Sequence, residues 1–271
     1  MAKIHPLATV HPGAKLSDSV EVGPYAYIDD NVEIGEGCKI YPHATIFEYV
    51  RIGKDCNVFP GAVVGAVPQD LKFDGEITHV EIGDRVNIRE CATINRGTKA
   101  SGKGVTRIGS DTLIMSYVHV AHDCSVGNHC ILVSYVGLAG ETDVDDWAII
   151  GGGTKVHQFS HIGTHAMVGG ASAVNKDVPP YALCGRSPLV FAGVNLVGLR
   201  RRGFESDTIR NIKDIYDMIY YQGFNFSDAL DRVEAGFSPS PEKEIILNFV
   251  RGSKRGIVRA AENEDHRNID I

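Results

Sequence analysis

The chain has no run of about 18 consecutive apolar residues, which argues against a membrane-spanning helix. Its first residues lack the basic-then-apolar pattern of an export leader, so no export is expected. Its six cysteines form no CxxC pair, which removes the usual signature of a paired-thiolate metal site or a dithiol redox centre. It also lacks a basic excess. Lys and Arg number 27 against 34 Asp and Glu, a formal charge of −7, which argues against nucleic acid as the main partner. These absences fit a protein of a reducing cytoplasm, with 271 residues to build a large core.

What the chain does have is a repeat, running from residue 4 to about residue 178. Ile4, Val10, Leu16, Val22, Ile28, Ile34, Ile40, Ile46, Ile52, Val58 and Val64 are spaced by six without a slip. Ile82, Ile88 and Ile94 resume the phase, and a second series runs from Ile108 through Ile114, Val120, Leu138 and Val156 to Val174. Glycine often follows the aliphatic, as at Gly35, Gly53, Gly109 and Gly127, and a small or β-branched residue stands four positions after it. Amphipathic helices need a period near 3.6 and flat strands a period of 2. A period of six suits a two-residue strand plus a turn. Three such units close a triangular coil of 18 residues, and coils stack at about 4.8 Å through backbone hydrogen bonds. The aliphatics then point inward in three columns. Glycine in the turns is expected to supply positive φ. Cys38, Cys56, Cys124 and Cys130 share one small buried position of the hexad and are expected to be core thiols.

Residues 66–80 and 95–107 leave the register, and their content of Gly and Lys, with Asp in the first, suggests excursions from the coil wall. The repeat stops at Val178-Pro179-Pro180, and from about Asn195 the pattern becomes helical. Ser206, Ser227 and Ser240 are candidate N-caps for three helices. The expected organisation is an all-β solenoid over 1–190 and a C-terminal α-helical domain over 191–271. The helices would cover the open end of the solenoid. Glu262–Ile271 reads as a frayed polar terminus.

Residues 18 apart lie one above another in successive coils. His122, Gly140 and Gln158 form such a column, with Asp123 and Glu141 beside it and His119 and His157 nearby. A histidine beside a carboxylate can act as a general base, and a glycine N–H one coil above can donate to an oxyanion. Solvent-facing turn residues would produce the same column. His157, His161 and His165, spaced by four, raise a metal site as another reading. Arg200-Arg201-Arg202 is either a phosphate-binding cluster or a solvated charge run, and Lys254, Arg255 and Arg259 add basic character for an acidic partner.

The strings PQDLKF at 68–73, IGDRVNIRECATINRGT at 82–98, HVAHDCSVGN at 119–128, AIIGGGTKVHQF at 148–159, MVGGASAVNKDVPPY at 167–181 and GVNLVGLRRRGF at 193–204 resemble one family. It is the UDP-N-acetylglucosamine acyltransferases that begin lipid A synthesis. The likeness extends to about Arg259. The resemblance implies a left-handed parallel β-helix of hexapeptide repeats, assembled as a homotrimer with active sites between subunits. It implies transfer of an (R)-3-hydroxyacyl group from acyl carrier protein to the 3-hydroxyl of UDP-N-acetylglucosamine, with no metal and no other cofactor. His122 then matches the general base, Asp123 its orienting carboxylate and Gly140 the oxyanion donor. Gln69, Asp70, Lys72, His119, His157, Gln158, Asn195, Arg201 and Arg202 match substrate-binding positions, with Lys72 and Arg201 as phosphate partners. Gly170 matches the position that limits acyl-chain length. Glu141, at a sugar-binding position, stands where the family commonly has histidine, and Val197 stands where it has an acidic residue. The neighbouring readings are the sister N-acyltransferase of the same pathway, a zinc hydratase of the carbonic anhydrase type, and a non-catalytic β-helical scaffold.

Overall fold

The computed structural model describes residues 1–260; the polar terminus expected at Glu262–Ile271 lies outside the described residues. The hexads form short parallel strands that gather into three walls. The first wall has eleven strands from Lys3–Ile4 to Val190–Val194, the second nine from Thr9–Val10 to Ala173–Val174, and the third eight from Lys15–Leu16 to His161–Ile162. Successive coils pair in register at a spacing of 18, as in Ile131↔Ile149 and Leu132↔Ile150. The result is a left-handed parallel β-helix. One aliphatic per hexad points inward, and Ile28, Ile46, Ile88, Ile114, Leu138 and Ile150 have no exposed surface. Each such side chain stabilises the fold by about 1.5–3 kcal/mol relative to exposure. Cys38, Cys56, Cys124 and Cys130 are free thiols in this core.

The glycines that follow the aliphatics have a different reason from the one expected. Except at Gly65 (φ 86°), their φ is not positive; the left-handed conformation falls two residues later, on glycine at Gly37 (φ 72°) and Gly153 (φ 73°) and on other residues at Asp55 (φ 55°) and Asp111 (φ 58°). The glycines are needed because coils stack closely there. A Cβ on Gly35 would lie 2.5 Å from the Gly53 carbonyl oxygen, and one on Gly109 would lie 2.5 Å from the Gly127 carbonyl carbon.

The two register breaks are narrower than the sequence suggested. Ala66, His79–Ile82, Asn95 and Val105–Ile108 all belong to wall strands, so the excursions are residues 67–78 and 96–104. Ile52 pairs with Ile82, thirty residues on, and Ile82 with Ile108, twenty-six on, where an ordinary coil takes eighteen. Both loops leave the corner between the second and third walls, one coil above the other.

Four helices follow: α1 (Leu196–Arg201), α2 (Ser206–Tyr221), α3 (Phe226–Gly236) and α4 (Pro241–Gly252). Ser240 caps α4, its hydroxyl accepting from the Lys243 N–H at 3.1 Å. The other two caps differ from expectation. Ser206 is the first residue of α2, and Glu205 before it makes no side-chain cap bond. Asn225 caps α3, accepting from the Asp228 N–H at 2.9 Å, which leaves Ser227 inside the first turn. The open end of the solenoid is closed by backbone as well as by helices. Ala182–Gly185 and Val190–Val194 form an antiparallel hairpin on the first wall, and the segment after α4 pairs Ile257 with Asp177 and Ala260 with Phe191. α2 packs over this cap through Ile212, Ile215 and Tyr216, whose hydroxyl donates to the Pro180 carbonyl at 2.6 Å.

Candidate active site

The corner between the second and third walls carries the expected column. Asp123 turns the chain there and is fully buried. Its carboxylate accepts from the Thr98 N–H at 2.9 and 3.0 Å, from the Thr98 hydroxyl at 2.7 Å and from His122 Nδ1 at 2.8 Å. An ionised carboxylate only accepts, so it places the imidazole proton on Nδ1 and leaves the lone pair of Nε2 facing outward. One coil above, Gly140 lies against the ring: a Cβ there would sit 2.5 Å from His122 Cε1 and closer still to Nε2. The Glu141 N–H donates to the His122 carbonyl at 3.0 Å, which locks the two coils together at this point. The Gly140 N–H has no acceptor among the described residues.

The first loop hangs over this pair. Asp70 Oδ2 is 3.7 Å from His122 Nε2, and the Lys72 N–H fixes Asp70 by donating to Oδ1 at 3.0 Å. Gln69 and Lys72 are exposed on the same loop. His119 lies on the outer face of the second wall, its Nδ1 2.7 Å from the Thr93 hydroxyl. Burial, then the nearby His122 and Lys155, lower its pKa, which favours the neutral ring. Two coils above His122, His157 and Gln158 are exposed, with His157 Nδ1 at 2.9 Å from the Gln158 carbonyl.

Not every expected site residue is at this corner. Asn195 caps α1, accepting from the Gly198 N–H at 3.1 Å and donating to the His165 carbonyl at 2.9 Å. Arg202 donates to the Trp147 carbonyl at 2.9 Å and approaches His165 Nδ1 at 3.3 Å. Both therefore sit at the corner between the third and first walls, with Arg201 exposed beside them. Gly170 is exposed at the remaining corner. His157, His161 and His165 lie on a corner, a wall and the next corner and engage different partners, so they do not converge; among the described residues no group of His, Cys, Asp and Glu could hold a metal ion.

Counting by 18 missed the residues that clamp the pair, because they come from the second loop and the strand that follows it. Thr98 holds the Asp123 carboxylate, the Thr106 hydroxyl accepts the Asp123 N–H at 2.8 Å, and Lys103 Nζ reaches the Asp123 carbonyl at 3.3 Å and Asp143 at 2.8 Å. The loops are also tied to each other: the Arg96 guanidinium lies over Phe73 of the first loop at 5.3 Å and over Tyr49 at 5.6 Å. The available signal was the break itself, which begins within one coil of His122.

One further surface bears on the site. On the outer face of the first wall, Leu113, Ile131, Ile149, Met167 and Leu183 stack as a half-buried aliphatic stripe beside the coils that carry His122 and Gly140. Earlier positions of the same face are polar: Lys3, Glu21, Lys39, Asn57 and Asn87.

Residues 177–258 match the family described as UDP N-acetylglucosamine O-acyltransferase, domain 2, and residues 13–48 and 106–140 match the bacterial transferase hexapeptide family. The acyl-[acyl-carrier-protein]–UDP-N-acetylglucosamine O-acyltransferase of Paracidovorax citrulli is 54% identical over 263 residues, and that of Leptothrix cholodnii is 49% identical over 265; each alignment spans 96% of this chain and all of the relative. Among solved structures, the UDP-N-acetylglucosamine acyltransferase of Bacteroides fragilis superposes with a TM-score of 0.93 at 50% identity, covering 94% of this chain and all of the other. That of Francisella novicida gives a TM-score of 0.93 at 37% identity, covering 99% of both chains.

Proposed function

This chain belongs to the UDP-N-acetylglucosamine O-acyltransferase family, and from that premise we propose that it moves an (R)-3-hydroxyacyl group from acyl carrier protein to the 3-hydroxyl of UDP-N-acetylglucosamine, the opening step of lipid A synthesis. His122 Nε2 removes the proton of the sugar hydroxyl as its oxygen attacks the thioester carbonyl. The Gly140 N–H donates to the oxyanion that forms. The intermediate collapses by breaking the carbon–sulfur bond, and the His122 imidazolium returns the proton to the departing phosphopantetheine thiolate. Asp123 keeps the ring in the tautomer that this cycle needs. Base assistance of this kind is worth about 10²–10⁴-fold. The acyl group arrives on acyl carrier protein, and the residues named complete the step without a further cofactor. The reading places the reaction in the cytoplasm. No helix among the described residues is long and apolar enough to cross a membrane.

We further propose that the active unit is a homotrimer. His122 with its loops and Asn195 with Arg202 occupy two different corners of one chain, so a single nucleotide sugar that touches both sets needs two chains. A rotational ring that presents one corner to the next subunit's other corner completes each site. The aliphatic stripe from Leu113 to Leu183 supplies an apolar face for such packing. In that arrangement Gln69, Asp70, Lys72, His119, Glu141, His157 and Gln158 meet the sugar side, and Asn195, Arg201 and Arg202 the nucleotide side. Gly170 stands at the end of the second wall away from His122, where absence of a side chain leaves room for a long acyl chain.

The observation that carries the reading is the buried His122–Asp123 pair with a glycine against its ring. The test is to offer the purified protein UDP-N-acetylglucosamine with 3-hydroxyacyl carriers of several lengths and to weigh the product. An O-acylated nucleotide sugar supports it; no product with any carrier overturns it.

A further inference from the structure

The corner between the third and first walls is built around one residue to which the chemistry above gives no task. His165 stands at φ 57°, one coil above Trp147 and two above His129, a column spaced by 18. Its ring lies parallel to Trp147 (5.9 Å, 5°) and to Tyr181 (5.7 Å, 13°), with Phe204 edge-on at 5.0 Å. The imidazole is therefore held on both faces and at its edge. From this position it touches two of the three nucleotide-side residues, Asn195 and Arg202. Its carbonyl accepts from Asn195 Nδ2 at 2.9 Å, and its Nδ1 lies 3.3 Å from Arg202 Nη1.

We infer that His165 is a positioning residue for the nucleoside diphosphate end of the acceptor, fixing Asn195 and Arg202 before the ligand arrives. The inference rests on the nucleotide-sugar reading above. An arginine has five N–H donors in a rigid fork. Arg202 uses one on His165 and one on the Trp147 carbonyl, and the guanidinium lies over the Trp147 ring at 5.4 Å. Three donors remain, and the anchored fork fixes where they point. A flexible arginine would lose rotamer freedom on meeting a phosphate, whereas this one has lost it already.

The arrangement needs an unprotonated Nδ1, since a guanidinium can only donate. The surroundings supply that condition. Burial, then the Arg202 charge, push the His165 pKa down to about 4, against a smaller opposing pull from Asp146. The groups facing the ring are Trp147, Tyr181 and, from the segment after α1, Arg202 and Phe204, with the Asp146 charge nearby; among the described residues no carboxylate bonds to the imidazole and holds it charged.

Two substitutions separate positioning from simple packing. His165→Phe keeps a ring for the stack and removes the acceptor; Phe159 already occupies the same left-handed conformation at φ 63°. His165→Asn removes the ring but places a carbonyl oxygen near the Nδ1 position, and asparagine tolerates that conformation. The measurements are the dissociation constant for UDP by calorimetry and KM for UDP-N-acetylglucosamine and for the acyl carrier. The expected result for His165→Phe is about a tenfold rise in UDP dissociation constant and in KM for the sugar nucleotide, with kcat and carrier KM within about twofold. His165→Asn is expected to recover most of the UDP affinity. Unchanged UDP binding by His165→Phe, or equal losses in both variants, overturns the inference. UDP binding without acyl transfer by the unmodified protein would instead remove the acyltransferase reading and leave this test intact. A protein that binds no UDP overturns both.

Discussion

Gly140 and His122 touch across successive coils so closely that a methyl group on Gly140 would sit 2.5 Å from the imidazole Cε1. The imidazole can occupy its position only because the residue one coil above has no side chain. Gly140→Ala should therefore swing or tilt the imidazole while the core aliphatics stay paired. The expected outcome is a fall in kcat of at least about a hundredfold, with a thermal unfolding midpoint within a few degrees of the unmodified protein. Steady-state kinetics and a melting curve check it together.

Asp123 is fully buried, and the Thr98 hydroxyl donates to it at 2.7 Å. Thr98→Val removes that donor and leaves a buried carboxylate one bond short, which costs about 1–3 kcal/mol. The cost should appear mainly in kcat, about tenfold or more, because His122 loses its orientation, while KM for the sugar nucleotide changes little. Thr98→Ser should recover most of the rate. Equal kcat for the valine and serine variants would mean that the second loop does not act through Asp123.

His165 also contributes to the acid limb of stability. Its native pKa is about 4, below the ordinary 6.5. Between those values the unfolded chain binds a proton that the native state refuses, so stability falls as pH falls. The contribution is complete above about pH 6.5 and is lost as pH drops toward 4. Partial exposure of the ring moderates its size. Denaturant titrations of the unmodified protein and of His165→Asn at pH 7.5, 6, 5 and 4 should show a shallower acid decline in the variant.

The aliphatic stripe on the first wall gives an assembly prediction. Ile149 lies in its middle, between Ile131 and Met167. Ile149→Asp should shift the protein toward monomer and abolish turnover, since in the proposed trimer each site draws residues from two chains. Asn57→Asp, at a polar position of the same face, should leave the mass unchanged. Analytical ultracentrifugation distinguishes the outcomes, and a fully assembled Ile149→Asp protein would place the subunit interface elsewhere.

Much of this architecture was legible in the sequence because the solenoid is nearly one-dimensional. Once Ile4 to Val64 are seen to repeat by six, the partner of each residue is found by adding 18, and the His122–Gly140–Gln158 column follows without a three-dimensional search. The same arithmetic stops at insertions. Thr98 meets Asp123 across twenty-five residues, and no periodicity announces that spacing. Cap residues were missed for a local reason: Asn225 and Ser227 are both good caps, and the choice depends on which backbone is extended. The division of Asn195 and Arg202 from His122 was equally invisible, because the helical segment gives no register that ties it to one corner. Turn glycines such as Gly37 and Gly153 do supply positive φ, but the glycines after the aliphatics could not be told from them, because close coil stacking and positive φ leave the same letter in the sequence.

In the proposed reaction His122, oriented by Asp123, removes the proton of the acceptor hydroxyl. The most direct measurement is single-turnover acyl transfer by His122→Ala with saturating UDP-N-acetylglucosamine and acyl carrier, alongside its melting curve and sedimentation. If His122 is the base, the rate falls by about 10²–10⁴-fold, with fold, assembly and UDP binding retained. A folded, assembled His122→Ala protein that turns over within a few-fold of the unmodified rate would contradict it.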